Sequence, residues 1–135
     1  MATPFSLDDR AASGFQDASS YDAHRPSYPA EAVDKLLTHL GIAHQNNAKV
    51  IDLACGTGKF TELLAKKEKR FEVLGIEPHV GMRRELIRKE LRGVRVEDGD
   101  AGHMPVEDGW ADALIAAQVS WLILPLVERY IMDYC

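Results

Sequence analysis

Two glycines one residue apart close an apolar run in VIDLACGTGKF, Val50 to Phe60. Asp52 and Ala54 precede them, so an acidic residue is followed by small residues at every second place: Asp52-x-Ala54-x-Gly56-x-Gly58. Backbone stripped of side chains lets a ligand approach closely. A helix opening near Gly58 would add free backbone N–H groups and a partial positive end. An acidic Asp52 suits a ligand that carries a cationic amine. Further on, Glu77 ends a second apolar run and is followed by Pro78. A carboxylate at such a strand tip can accept both hydroxyls of a ribose, as in nucleoside-binding sheets. Asp100 closes VRVEDGD, where an adenine amine could be bonded.

Spacing tests the other glycine-loop chemistries. A phosphate-gripping loop needs a glycine, four residues, then Gly-Lys-Ser/Thr; here Leu53 holds the first place and Phe60 the last. A dinucleotide fingerprint needs a small residue three places after the second glycine. That place is Thr61, which disfavours an NAD(P)-dependent oxidoreductase. The histidines (His24, His39, His44, His79, His103) have no ligand spacing, so no metal site is expected. His103 is a candidate base, but no residue stands out as a catalytic acid or base. The bland readings are a tight strand-to-helix turn for the glycines and a solvated strand end for Glu77.

The elements that must hold these residues follow from periodicity. Pro29 can open a helix as its first residue. Val33, Leu36, Leu37 and Leu40 then form a helical stripe that Gly41 ends. VIDLA reads as a first strand, and Phe60, Leu63 and Leu64 lie on one face of the helix after it. FEVLGIE is a second strand; Met82, Leu86, Ile87 and Leu91 repeat the helical spacing up to Gly93. VRVEDGD and ADALIAA are a third and a fourth strand. KKEKR and MRRELIRKELR read as solvated helix faces rather than nucleic-acid contacts. Strands of branched apolar residues alternating with helices predict an α/β fold with a doubly wound parallel sheet covered on both faces.

Composition agrees with a globular domain. The chain has 135 residues, 46% apolar and 27% charged, enough to bury roughly two thirds of its unfolded surface. With 16 basic against 21 acidic residues and a net charge of −5, no nucleic-acid partner is expected. Cys55 and Cys135 have neither metal nor redox spacing, which points to a reduced, cytoplasmic protein. The opening MATPFSLDDRAASGF lacks the pattern of a signal peptide. The longest nearly apolar run, Ala113 to Val127, is interrupted by Gln118, Ser120 and Pro125 and is short of the about 20 residues of a membrane span.

VIDLACGTGKFTELLA, GIEPHVGM, VRVEDGDAGHMP and ADALIAAQ together resemble successive motifs of class I S-adenosylmethionine-dependent methyltransferases, of the small-molecule "type 11" kind. YDAHRPSYP is similar to the cofactor-covering N-terminal segment of that group. The resemblance covers about residues 15 to 118. It implies a Rossmann-like fold in which Asp52 lies near the amino-acid part of S-adenosylmethionine. Ala54, Gly56, Thr57 and Gly58 would let the backbone approach the cofactor. Glu77 would hold the ribose hydroxyls, Pro78 and Met82 would pack on the adenine, and Asp100 with Ala101 would address its amine. Gln118 would stand near the sulfonium, and Tyr21 and Arg25 would help to close the lid, packing and a surface ion pair being their bland alternative. Where this chain has Ala54 the family commonly has glycine.

The resemblance also divides the chain: an N-terminal lid over 1–28, a partial methyltransferase domain over 29–118, and an atypical apolar tail over 119–135. The family fold has seven strands in the order 3-2-1-4-5-7-6, and this chain accounts for 3-2-1-4. Val119-Ser120 can be encoded by GTGAGT, a common intron start, and the tail is expected to come from a retained intron or a mispredicted gene end. A strand-four edge left without strand five invites self-association. The implied activity is methyl transfer to a small-molecule acceptor, with turnover by this truncated chain doubted; the alternative is a catalytically silent cofactor-binding or interaction fragment.

Overall fold

The computed structural model describes residues 28–117. Tyr21, Arg25, Gln118, the tail and all of the lid over 1–28 except Tyr28 lie outside the described residues. Seven elements follow in chain order: α1 (Ala30–His39), β1 (Lys49–Leu53), α2 (Lys59–Ala65), β2 (Glu72–Ile76), α3 (Val80–Arg88), β3 (Val94–Glu97) and β4 (Ala113–Ile115). The strands form one sheet in the order β3-β2-β1-β4, and every pairing is parallel. This is the α/β order the sequence predicts.

β1, β2 and β4 are short, branched and buried because both faces of the sheet are covered there, whereas β3 at the edge alternates half-buried Val94 and Val96 with exposed Arg95 and Glu97. On one face Val50, Val73, Ala113 and Ile115 meet Val33 and Leu37 of α1 and Phe60 and Leu64 of α2. On the other, Ile51, Leu53, Leu74 and Ile76 meet Ala101, Met104 and Ala111. Among the described residues that second cover is the connection between β3 and β4, where a helix was expected. Gly99, Gly102, Pro105 and Gly109 in that stretch explain why it does not wind into a helix.

Two helical stripes are narrower than their spacing implies. Val33 and Leu37 are buried, but Leu36 is 36% and Leu40 38% exposed. Both border a cavity of about 300 Å³ shared with Tyr28, Phe60, Ile115 and Ala117. In α3, Met82 and Leu86 are buried while Ile87 is 59% exposed, because that helix stops at Arg88 and packs one edge only. Pro29 caps α1 with extended backbone instead of forming its first turn. No helix of the described residues is long and apolar enough to cross a membrane.

β1 and β2 end level with each other, Leu53 opposite Ile76. The residues that leave these two strands, Ala54 to Gly58 and Glu77 to His79, therefore emerge side by side at one edge of the sheet.

Candidate functional site

The loop after β1 turns on left-handed backbone. Ala54 has φ 55°, Gly56 φ 60° and Gly58 φ 90°. The two glycines serve different ends. A Cβ on Gly58 would lie 2.3 Å from Leu86 Cδ1, so the absence of a side chain there seats α2 against α3. Gly58 was expected to make room for a ligand; its missing Cβ faces the protein. Gly56 instead turns its N–H to the neighbouring strand tip, donating to Glu77 Oε1 at 3.0 Å.

Glu77 is the centre of the site. Its second oxygen, Oε2, accepts from the His79 N–H at 2.9 Å, and the residue is 8% exposed. A carboxylate oxygen has two lone pairs, so each retains acceptor capacity after one backbone bond. Burial raises the carboxyl above its ordinary range, while the His79 and Gly56 N–H bonds and Arg83 pull it back down. The loop and the strand tip expected to share a ligand are thus joined directly by a hydrogen bond.

Asp52, 1% exposed, accepts a 2.6 Å hydrogen bond at Oδ2 from the Thr61 hydroxyl one turn into α2. It lines a small cleft with Tyr28, Ala54, Cys55, Lys59 and Phe60, where Tyr28 stands edge-on to Phe60 with ring centroids 5.3 Å apart. Thr57 is fully buried. Burial and the Asp52 and Glu77 charges push the Cys55 thiol up, out of thiolate chemistry.

The remaining expected residues sit around the β2 and β3 tips. Pro78 is half-buried, and its carbonyl accepts from Arg83 Nη1 at 2.8 Å. Met82 is buried, its N–H donating to His79 Nδ1 at 3.3 Å. Asp100 and His103 exchange backbone hydrogen bonds in a tight turn, and Asp100 Oδ1 accepts from the Gly102 N–H at 2.8 Å. Ala101 is buried in the core beneath this turn. The described residues hold no group of three or more His, Cys, Asp or Glu placed to share a metal.

Two residues of the site escaped the sequence reading. Thr61 was weighed only for the side chain it is not. Arg83 was read as part of a solvated face, yet its side chain is 18% exposed; the signal that could have found it is its place one turn after Glu77-Pro78.

The donor set fits an adenosyl sulfonium ligand. Glu77 offers acceptor lone pairs for a vicinal diol, Asp52 offers a buried anion for an ammonium, and Gly56 keeps side-chain atoms off the loop between them. Comparison with known proteins agrees. A family profile described as "Methyltransferase domain" matches residues 50–132. An uncharacterised methyltransferase of Mycobacterium tuberculosis is 34% identical over 99 residues, covering 73% of this chain and 37% of that protein. The trans-aconitate 2-methyltransferase of Methylobacterium nodulans is 38% identical over 88 residues, 61% of this chain and 33% of that protein. The matched stretch therefore spans about a third of the length of these curated relatives. A crystal structure from Methanococcus maripaludis, assigned to the S-adenosyl-L-methionine-dependent methyltransferases, superposes with a TM-score of 0.69. It is 20% identical and covers 99% of this chain and 62% of that one, which is evidence of shared fold. With the sheet order, the glycine loop and the family match over residues 50–132 in agreement, the chain belongs to the class I S-adenosylmethionine-dependent methyltransferase family.

Proposed function

We propose that this chain supplies the cofactor-binding part of an enzyme that transfers a methyl group from S-adenosylmethionine to a small molecule in the cytoplasm. The observation that carries the reading is the 3.0 Å hydrogen bond from the Gly56 N–H to Glu77 Oε1, which fixes an acceptor for ribose hydroxyls beside a bare loop. Asp52 takes the ammonium end of the cofactor, with Ala54, Gly56, Thr57 and Gly58 forming the loop beneath it. Pro78 and Met82 support the adenine, and Asp100 with Ala101 addresses its amine. Gln118, Tyr21 and Arg25 lie outside the described residues, and their assignment to the sulfonium and to the cover of the site rests on the motif resemblance.

When bound, the sulfonium supplies an electrophilic methyl group for in-line displacement. The residues of this chain orient the cofactor and exclude water from it, and alignment of two reactants alone is worth about 7–11 kcal/mol. A small-molecule acceptor draws support from the trans-aconitate 2-methyltransferase of Methylobacterium nodulans, a relative whose name states its acceptor.

Calorimetric titration with S-adenosylhomocysteine and with NAD tests the cofactor assignment: saturable binding of the first and none of the second is expected, and the reverse overturns it. Incubation with methyl-labelled cofactor and carboxylate-bearing acceptors, beside a longer version of the chain, tests turnover. Label transferred by the longer version alone identifies this chain as a cofactor-binding module without its own activity.

A further inference from the structure

One side chain, Arg83, ties together the backbone around the ribose-facing carboxylate. Its Nη1 amine donates to the Glu77 carbonyl at 2.8 Å, to the Pro78 carbonyl at 2.8 Å and to Asp98 Oδ1 at 3.2 Å. The Pro78 carbonyl and the His79 N–H are the two ends of one peptide unit, which is planar and rotates as a rigid plate. The His79 N–H in turn donates to Glu77 Oε2 at 2.9 Å. The chain of contacts runs from guanidinium to carbonyl, across one peptide plane, and from N–H to carboxylate.

We infer that Arg83 is the positioning residue for ribose recognition, holding the Glu77 carboxylate in register through the Pro78–His79 peptide. The inference rests on the reading above that Glu77 grips the ribose. Arg83 touches no part of the ligand in this scheme. All three contacts fall on Nη1, whose two N–H groups are shared among two carbonyls and a carboxylate, and the planar guanidinium holds that nitrogen in place. Asp98 is 74% exposed, so its ion pair adds little; the carbonyl contacts carry the effect. Freed of them, the peptide can swing, and Oε2 loses the donor that sets its direction.

The test compares S-adenosylhomocysteine with its 2′-deoxyadenosyl counterpart on the full chain by calorimetry. The unaltered protein prefers the ribose form by about tenfold, the worth of one well-placed hydrogen bond to a charged group. Arg83→Met weakens binding of the ribose form about tenfold and leaves the deoxy form nearly unchanged, so the preference collapses toward unity. Arg83→Lys, which retains a single donor group, gives an intermediate preference and decides the matter if Arg83→Met does not fold. Asp98→Asn and Arg88→Met keep the full preference; Arg88 sits on the same helix and is 68% exposed. A purely structural arginine would lower thermal stability and weaken both ligands alike, and that outcome overturns the inference, as does an undiminished preference in Arg83→Lys. An equal loss of preference in Arg88→Met also overturns it. If the unaltered protein binds neither ligand, the cofactor assignment falls and the role of Arg83 falls with it.

Discussion

Ala54 is the non-glycine residue in the loop that stands in left-handed backbone, φ 55°, a conformation that disfavours any side chain with a Cβ. Ala54→Gly is expected to stabilise the domain by about 0.5–1 kcal/mol, the strain relieved exceeding the extra freedom given to the unfolded chain; urea unfolding midpoints measure it. Glu77 carries a pH dependence with two opposite signs. Its carboxyl is raised above the ordinary 4.5, first by burial, so the folded chain holds this proton more tightly than the unfolded chain. Its contribution to stability is present below the ordinary value and is lost as pH rises through the raised one. Ribose binding needs the ionised form and goes the other way. Titrations of S-adenosylhomocysteine from neutral pH downward should therefore weaken while pH is still above 4.5, with Glu77→Gln removing that dependence. Affinity that stays flat down to 4.5 would detach Glu77 from the ligand.

Among the elements, the start of α2 comes up against α3 at a bare position, Gly58. Gly58→Ala places a methyl against Leu86 and holds a side chain at φ 90°, and should cost about 2–4 kcal/mol; thermal and urea unfolding read it. The element plan was legible in the sequence because branched runs and the spacing of Met82 and Leu86 encode burial directly. Leu36, Leu40 and Ile87 misled the same logic, since spacing reports which side of a helix is apolar and not how much of that side finds a neighbour. The glycine loop was legible as well, and so was its closeness to Glu77 at the next strand tip, which the Gly56 N–H joins. What could not be read is who bonds whom. Thr61 reaches Asp52, and Arg83 reaches two carbonyls, because each strand runs through a tight turn into the helix that follows it; spacing brings such residues near, but the partner atoms depend on the turn's backbone.

For the molecule as a whole, the sheet order leaves β4 at an edge, and among the described residues no strand pairs with its outer side. Beside it lies the cavity bordered by Leu36, Leu40 and Phe60. An open parallel edge next to apolar surface is a template for association. Sedimentation velocity on the 135-residue chain should show a concentration-dependent shift above monomer, and a single monomer boundary at every loading would count against it. The joined pair, Gly56 with Glu77, has a different kind of reach. Everything that meets there, from Asp52 to His79, belongs to one strand–helix–strand unit. Such a unit closes over a short span of chain, which entropy penalises little. During synthesis the Gly56–Glu77 half of the ligand seat could therefore close while β3 and β4 are still to emerge from the ribosome, with Asp100 joining it only after β3.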